Sequence, residues 1–147
     1  MSDQAGSVAA WEALFRAQVA IMRQLGEDFP HDDISFNEYD VMYTLTRAVG
    51  RSLRLRDLNK FVLLTQPSVS RLVDRLAARG LVEKRPDEHD ARGTIIRLTD
   101  AGHDVFYRLA LVHGESIHRL VGDALSPAEL QQLTELCTKL RVNLPLG

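Results

Sequence analysis

A chain of 147 residues, 45% of them hydrophobic, suffices for one compact domain plus a layer of helices that pairs with a second copy. No stretch approaches the roughly 18 unbroken apolar residues of a membrane span, and no basic segment followed by an apolar run opens the chain. Neither insertion nor secretion is indicated, and a cytoplasmic protein is expected. The net charge of −2 hides an uneven distribution: residues 1–46 carry 2 basic and 8 acidic groups, residues 47–97 carry 12 and 6, and residues 98–147 carry 4 and 6. A local basic block of this kind steers and anchors a protein on a polyanion, even when the whole chain is slightly acidic. The single cysteine, Cys137, has no partner for an internal disulfide, which fits a reducing compartment.

In chain order, Trp11, Leu14, Phe15, Val19, Met22 and Leu25 recur at helical spacing and predict an amphipathic helix from about Val8 to Asp28. The loop Phe29-Pro30-His31-Asp32-Asp33 ends it. Ser35 with Glu38 three residues on forms a capping-box pattern, opening a helix that holds Tyr39, Met42, Tyr43, Leu45 and Val49 and stops at Gly50. Leu55, Leu58, Phe61 and Val62 then give a short helix, the first half of a helix-turn-helix. Arg47, Arg51, Arg54, Arg56 and Lys60 lead into it.

The segment Leu64 to Val82 carries the most information. Thr65 supplies a capping oxygen, Pro67 falls in the first turn where its missing N–H costs nothing, and Gly80 is a C-terminal stop. Val69, Leu72, Val73 and Leu76 make the buried stripe. Arg71, Asp74 and Ala78 point away from it, with Ser68 and Arg75 on one flank and Ser70 on the other. Small hydroxyl residues allow close approach to a groove, Arg71 can bond guanine edges in a bidentate manner, and Arg75 and Arg79 can sit on phosphates. Next, Leu81–Arg85 and Thr94–Leu98 read as two short strands separated by the polar segment Pro86–Gly93, a hairpin with a long tip. Arg92 on that tip can reach a minor groove, with Asp90 pairing to Arg92 or another nearby arginine to fix its direction. Taken singly, the first segment also reads as an ordinary surface helix and the second as an ordinary exposed hairpin.

Thr99 can cap a long helix running through Val105, Phe106, Leu109, Val112 and Ile117 towards Leu125, and Ser126-Pro127-Ala128-Glu129 opens another with the stripe Leu130, Leu133, Leu136, Leu140 and Leu144. These outer helices hold more apolar surface than one subunit of this size readily covers, which points to a homodimer.

Two signatures then act together. The run Ser68-Val69-Ser70-Arg71-Leu72-Val73-Asp74-Arg75-Leu76 leading into Arg79-Gly80-Leu81-Val82, followed by Asp90-x-Arg92 and Leu98-Thr99-x-x-Gly102, resembles the MarR family of bacterial winged-helix transcription factors over about Ile34 to Gly102. The resemblance implies a mainly α fold with a small β-hairpin wing. One domain over 1–147 would hold a winged helix-turn-helix core at about 35–98 and dimerisation helices at about 8–28 and 99–144. It further implies a homodimer that places one helix in the major groove and one wing in the minor groove of double-stranded DNA, at a pseudo-palindromic operator. Ser68, Ser70 and Arg71 match helix positions that face DNA, and Arg92 matches the wing-tip arginine. Ala91 departs from the pattern, where many members carry a second basic residue. With Gln66 and Arg75 added, the candidate DNA-binding set is Gln66, Ser68, Ser70, Arg71, Arg75 and Arg92.

Members of the resembled family often release DNA when a small molecule, frequently an aromatic acid, enters a cleft between the dimer helices and the winged core. Trp11, Phe15, Tyr39, Tyr43 and His113 are the candidates for such a lining, although aromatic residues on helices are more often core. The five histidines show neither HExxH nor an i, i+4 pair, so no metal site is expected, and no phosphate loop, nucleophile elbow or paired catalytic carboxylates indicate an enzyme or a cofactor. Cys137, on a leucine-rich helix, reads as a buried structural thiol. The expected function is a sequence-specific DNA-binding regulator, a repressor ahead of an activator. A winged-helix module that binds protein or RNA is the alternative.

Overall fold

The computed structural model describes residues 3–30, 33–62 and 66–145. His31 and Asp32 of the expected loop, Leu64, the expected cap Thr65 and the side chain of Gln66 fall outside that description. The chain divides into two compact units, Met1–Asp28 with Val112–Gly147, and Phe29–Leu111.

The second unit is a winged helix. Helix α2 (Phe36–Thr46) opens on the expected capping box: the Ser35 hydroxyl accepts from Glu38 N–H at 3.1 Å, and the Glu38 carboxylate accepts from Ser35 N–H at 3.0 Å. The helix stops earlier than the apolar pattern suggested. Val49 lies beyond it in a 3-10 turn, Val49–Arg51, and is almost wholly exposed, while Gly50 takes the left-handed conformation at φ 64°. Strand β1 (Ser52–Arg54) follows and leads directly into helix α3 (Leu55–Phe61), with Arg54 as its N-cap residue. Leu58 is buried, whereas Phe61 is exposed and Val62, just past the helix, takes the buried position.

Helix α4 (Gln66–Ala78) buries Val69, Leu72, Val73 and Leu76. Its end is a Schellman motif: Gly80 sits at φ 73°, its N–H donates to Ala77 O at 3.0 Å, and Leu81 N–H donates to Leu76 O at 3.0 Å. Strands β2 (Val82–Asp87) and β3 (Asp90–Leu98) form the wing. The polar segment expected as a tip over Pro86–Gly93 is partly drawn into the strands. Regular pairing runs to Pro86 opposite Thr94, the register then shifts so that Asp87 faces Asp90, and Glu88 and His89 form the turn. All pairing is antiparallel in the order β1-β3-β2, with Leu53 opposite Ile96 and Lys84 opposite Ile96 on the other side. Ile96 and Leu98 seal the core against Val41, Met42, Leu45 and Leu76.

Helix α5 (Asp100–Ile117) begins in this unit. Thr99 does more than cap it. Its hydroxyl accepts from Gly102 N–H at 3.0 Å and lies 2.7 Å from Gly80 O, so the helix start is fastened to the corner between α4 and β2. Gly102 permits this closeness, because a Cβ there would overlap the Leu81 carbonyl oxygen and come within 2.7 Å of Leu98 Cδ1. The spacing Leu98-Thr99-x-x-Gly102 thus has a steric cause.

The first unit holds helix α1 (Gln4–Asp28), the end of α5, a π-helical turn at His118–Gly122 and helix α6 (Pro127–Val142). The predicted run from Thr99 to Leu125 is therefore interrupted. At the turn, Arg119 donates to Ser116 Oγ at 3.2 Å and lies 3.6 Å from Asp28. Ser126 and Glu129 form the second capping box, with Pro127 in the first turn. Among the described residues, Leu25 is the one buried apolar side chain of this unit. Trp11, Phe15, Val19 and Met22 on α1 and Leu133, Leu136 and Leu140 on α6 are exposed.

Candidate nucleic-acid interface

The outward face of α4 carries the hydroxyls and arginines that the sequence singles out. Arg71 and Arg75 are exposed, Ser68 and Ser70 are half-buried at the helix surface, and Gln66 is the first residue of the helix. Arg71 Nη2 lies 3.4 Å from Ser68 Oγ, which holds the guanidinium near the helix N-terminus. Ser68, Arg71 and Arg75 share an open depression of about 410 Å³ with Ser35 and Asn37 from the start of α2. On the wing, Arg92 is exposed and lines a second depression of about 320 Å³ with Lys84, Arg85 and Thr94.

Ion pairing separates the basic residues into two groups. Lys84 Nζ bonds Asp74 at 2.6 Å and ties β2 to α4, Arg97 bonds Glu83 at 3.0 Å across the wing, and Arg51 lies 3.3 Å from Asp100. Arg79, read from the sequence as a phosphate contact, is occupied: it donates to Asp33 O at 2.6 Å and pairs with the Asp33 carboxylate. Among the described residues, Arg71, Arg75, Arg85 and Arg92 form no ion pair. Arg71 and Arg75 on α4 and Arg85 and Arg92 on the wing thus remain available to an outside anion, as do Arg47 and Arg56 elsewhere in the winged unit. Arg85 was missed in the sequence because it was read only as strand. In the structure it pairs with Ile95 and shares a depression with Arg92.

The acid at the wing is also reassigned. Asp90 does not pair with an arginine side chain; its carboxylate accepts from Arg92 N–H at 3.1 Å. The acid that meets an arginine is Asp87, whose side chain is 1% exposed and lies 2.7 Å from Arg54 Nε.

The five aromatic and imidazole candidates are not one cluster within a single unit. Trp11 and Phe15 meet on α1 with ring centroids 5.7 Å apart, and His113 belongs to the same unit. Tyr39 and Tyr43 belong to the other, where Tyr39 is buried and stacks on Phe106 at 5.1 Å. Burial pushes the Tyr39 hydroxyl up to about 12, with help from nearby Tyr43 and Asp40, and burial holds His113 below its ordinary value. Among the described residues no group of His, Cys, Asp and Glu could hold a metal ion, and no helix is long and apolar enough to cross a membrane.

A model of the MarR family matches residues 32–93, a span that holds α2, α3, α4 and β2 and ends within β3. The multiple antibiotic resistance protein MarR of Escherichia coli K12 is 26% identical over 117 residues, covering 80% of each chain. Among solved structures, Sco3205 of Streptomyces coelicolor, a MarR family transcriptional regulator in complex with DNA, matches with a TM-score of 0.79 at 25% identity. That match covers 100% of this chain and 93% of the other. BpsR of Bordetella bronchiseptica, whose DNA binding is regulated by 6-hydroxynicotinic acid, matches with a TM-score of 0.75 at 22% identity, covering 90% and 98%. The winged core is thus similar to the MarR family of transcriptional regulators, and the whole chain matches the fold of a solved member of that family.

Proposed function

We propose that this chain is a homodimeric, sequence-specific repressor that binds a pseudo-palindromic operator and leaves it when a small aromatic ligand binds. The carrying observation is that Arg71 and Arg75 on α4 and Arg85 and Arg92 on the wing have no acidic partner among the described residues. In this reading Gln66, Ser68, Ser70 and Arg71 approach base edges in the major groove, Arg75 holds phosphate, and Arg92 enters the adjacent minor groove. The DNA complex formed by Sco3205 supports it, as does the basic excess of residues 47–97.

Pairing of two copies is supported by the exposed stripes on α1 and α6, which leave the first unit almost without a core of its own. Repression follows from occupancy, since a bound dimer blocks polymerase without further contacts. Ligand relief rests on BpsR as precedent and on Trp11, Phe15, Tyr39, Tyr43 and His113 as candidate lining. Action on an operator places the protein in the cytoplasm.

Selection from random duplex DNA tests the proposal. A two-fold symmetric motif with half-sites about one helical turn apart is expected. Enrichment of no motif, or of single-stranded RNA in a parallel selection, would overturn it.

A further inference from the structure

The wing tip is braced by a strap that crosses the sheet, and Asp87 is its centre. Arg54 belongs to β1 and Asp87 to β2, with β3 between them, yet Arg54 Nε stands 2.7 Å from Asp87 Oδ2. Gly93 of β3 lies beneath the crossing. A Cβ on it would fall 3.2 Å from Asp87 Cβ, 3.4 Å from Asp87 Oδ2 and 3.3 Å from Asp90 O, so a larger residue would press the strap away from the sheet. The other Asp87 oxygen accepts from His89 N–H at 2.9 Å, inside the turn, and Asp90 then accepts from Arg92 N–H. Polar contacts thus join Arg54, the N-cap of α3, to Asp87 and Asp87 to His89 in the turn, and the next residue, Asp90, holds the backbone of Arg92.

The strap has a mechanical purpose. β1 pairs with β3 only from Arg97 back to Ile95, so beyond that point the wing is a two-stranded hairpin with no third strand beside it. Such hairpins are marginal in water by themselves. A buried carboxylate needs compensation, and Asp87 has a backbone donor to Oδ1 and the Arg54 cation beside Oδ2, which accepts no hydrogen bond among the described residues, so the ion pair carries that side of the strap.

We infer that Asp87 is a positioning residue for DNA recognition: through Arg54 it fixes the wing tip to the start of the helix-turn-helix, so that Arg92 is aimed before DNA arrives. The inference rests on the DNA-binding reading above. Its effect on affinity would come from ordering done in advance rather than from any contact of Asp87 with DNA.

The test combines Asp87→Asn, Arg54→Gln and Arg92→Ala in the full chain, each checked for folding by thermal melting. Binding to the selected duplex is measured over a range of salt. Arg92→Ala is expected to weaken binding by roughly tenfold and lower the salt slope by about one. Asp87→Asn and Arg54→Gln should each weaken binding by roughly threefold or more. Adding Asp87→Asn to Arg92→Ala should cost less than about 1.5-fold, because both act through one side chain. Hydrogen exchange without DNA gives an independent readout, with faster exchange in Asp87→Asn confined to residues 88–92. Full additivity with Arg92→Ala, wild-type affinity in the folded Asp87→Asn variant, or unchanged exchange at the turn overturns the inference while DNA binding stands. Failure of the wild-type chain to bind any duplex overturns the binding reading itself, and the inference with it.

Discussion

At Gly102 a hydrogen stands where any other residue would drive a carbon into the Leu81 carbonyl. Gly102→Ala should therefore destabilise the winged core by about 3 kcal/mol, lowering the melting temperature by on the order of 10 °C. An unchanged melting curve would refute the steric account. The arginines divide as sharply. Arg71→Ala should cost roughly 1–3 kcal/mol of operator affinity and relax preference at one base, and Arg75→Ala should weaken all sequences alike. Arg79→Ala should leave DNA affinity within a factor of about two but lower the melting temperature, since its guanidinium is already held by Asp33. The separation of Arg79 from Arg71 and Arg75 was invisible in the sequence, because Asp33 lies 46 residues away. His113 supplies a pH prediction. Burial holds its pKa below 6.5, so on acidification the unfolded chain takes up this proton first, and stability falls as pH drops below 6.5. Asp40 acts in the opposite sense at lower pH, since burial raises its carboxyl above 3.8 and the folded chain then binds the proton more readily. Denaturant melts between pH 8 and 5 should show a shallower decline for His113→Gln, and an identical decline in both proteins would contradict the assignment.

At the scale of elements, what is written locally was readable. Both capping boxes, the stripe of α4 and the glycine stop at Gly80 depend on residues within one or two turns of each other, and they stand where the pattern put them. Ser35→Ala should accordingly cost about 1 kcal/mol by equilibrium denaturation, and a neutral result would mean that the box carries no stability. Long-range features were not readable. β1 has three residues and exists only because residues 95–97 lie alongside it, some 43 positions later. The short turn at Glu88-His89 was hidden by the charged residues around it, which the structure uses as paired strand and as the Arg54–Asp87 strap. The π-helical turn at His118–Gly122 had no signal in apolar spacing. The candidate DNA residues could be named from local pattern. Which arginines stay available could not, since that depends on where the acids fold.

For the whole molecule, the contrast between the units is the main fact. The winged unit has a continuous core, while α1 and α6 leave rows of large apolar side chains uncovered. Leu136→Glu combined with Leu140→Glu should give monomers in sedimentation that retain the winged core but bind the operator at least tenfold more weakly, since each half-site is then held alone. The mass of the complex formed with the selected duplex at low ionic strength tests the central claim most directly. Two chains on one duplex, dissociating steeply as salt rises, is the predicted result. A single chain per duplex, or none at any salt concentration, would contradict it.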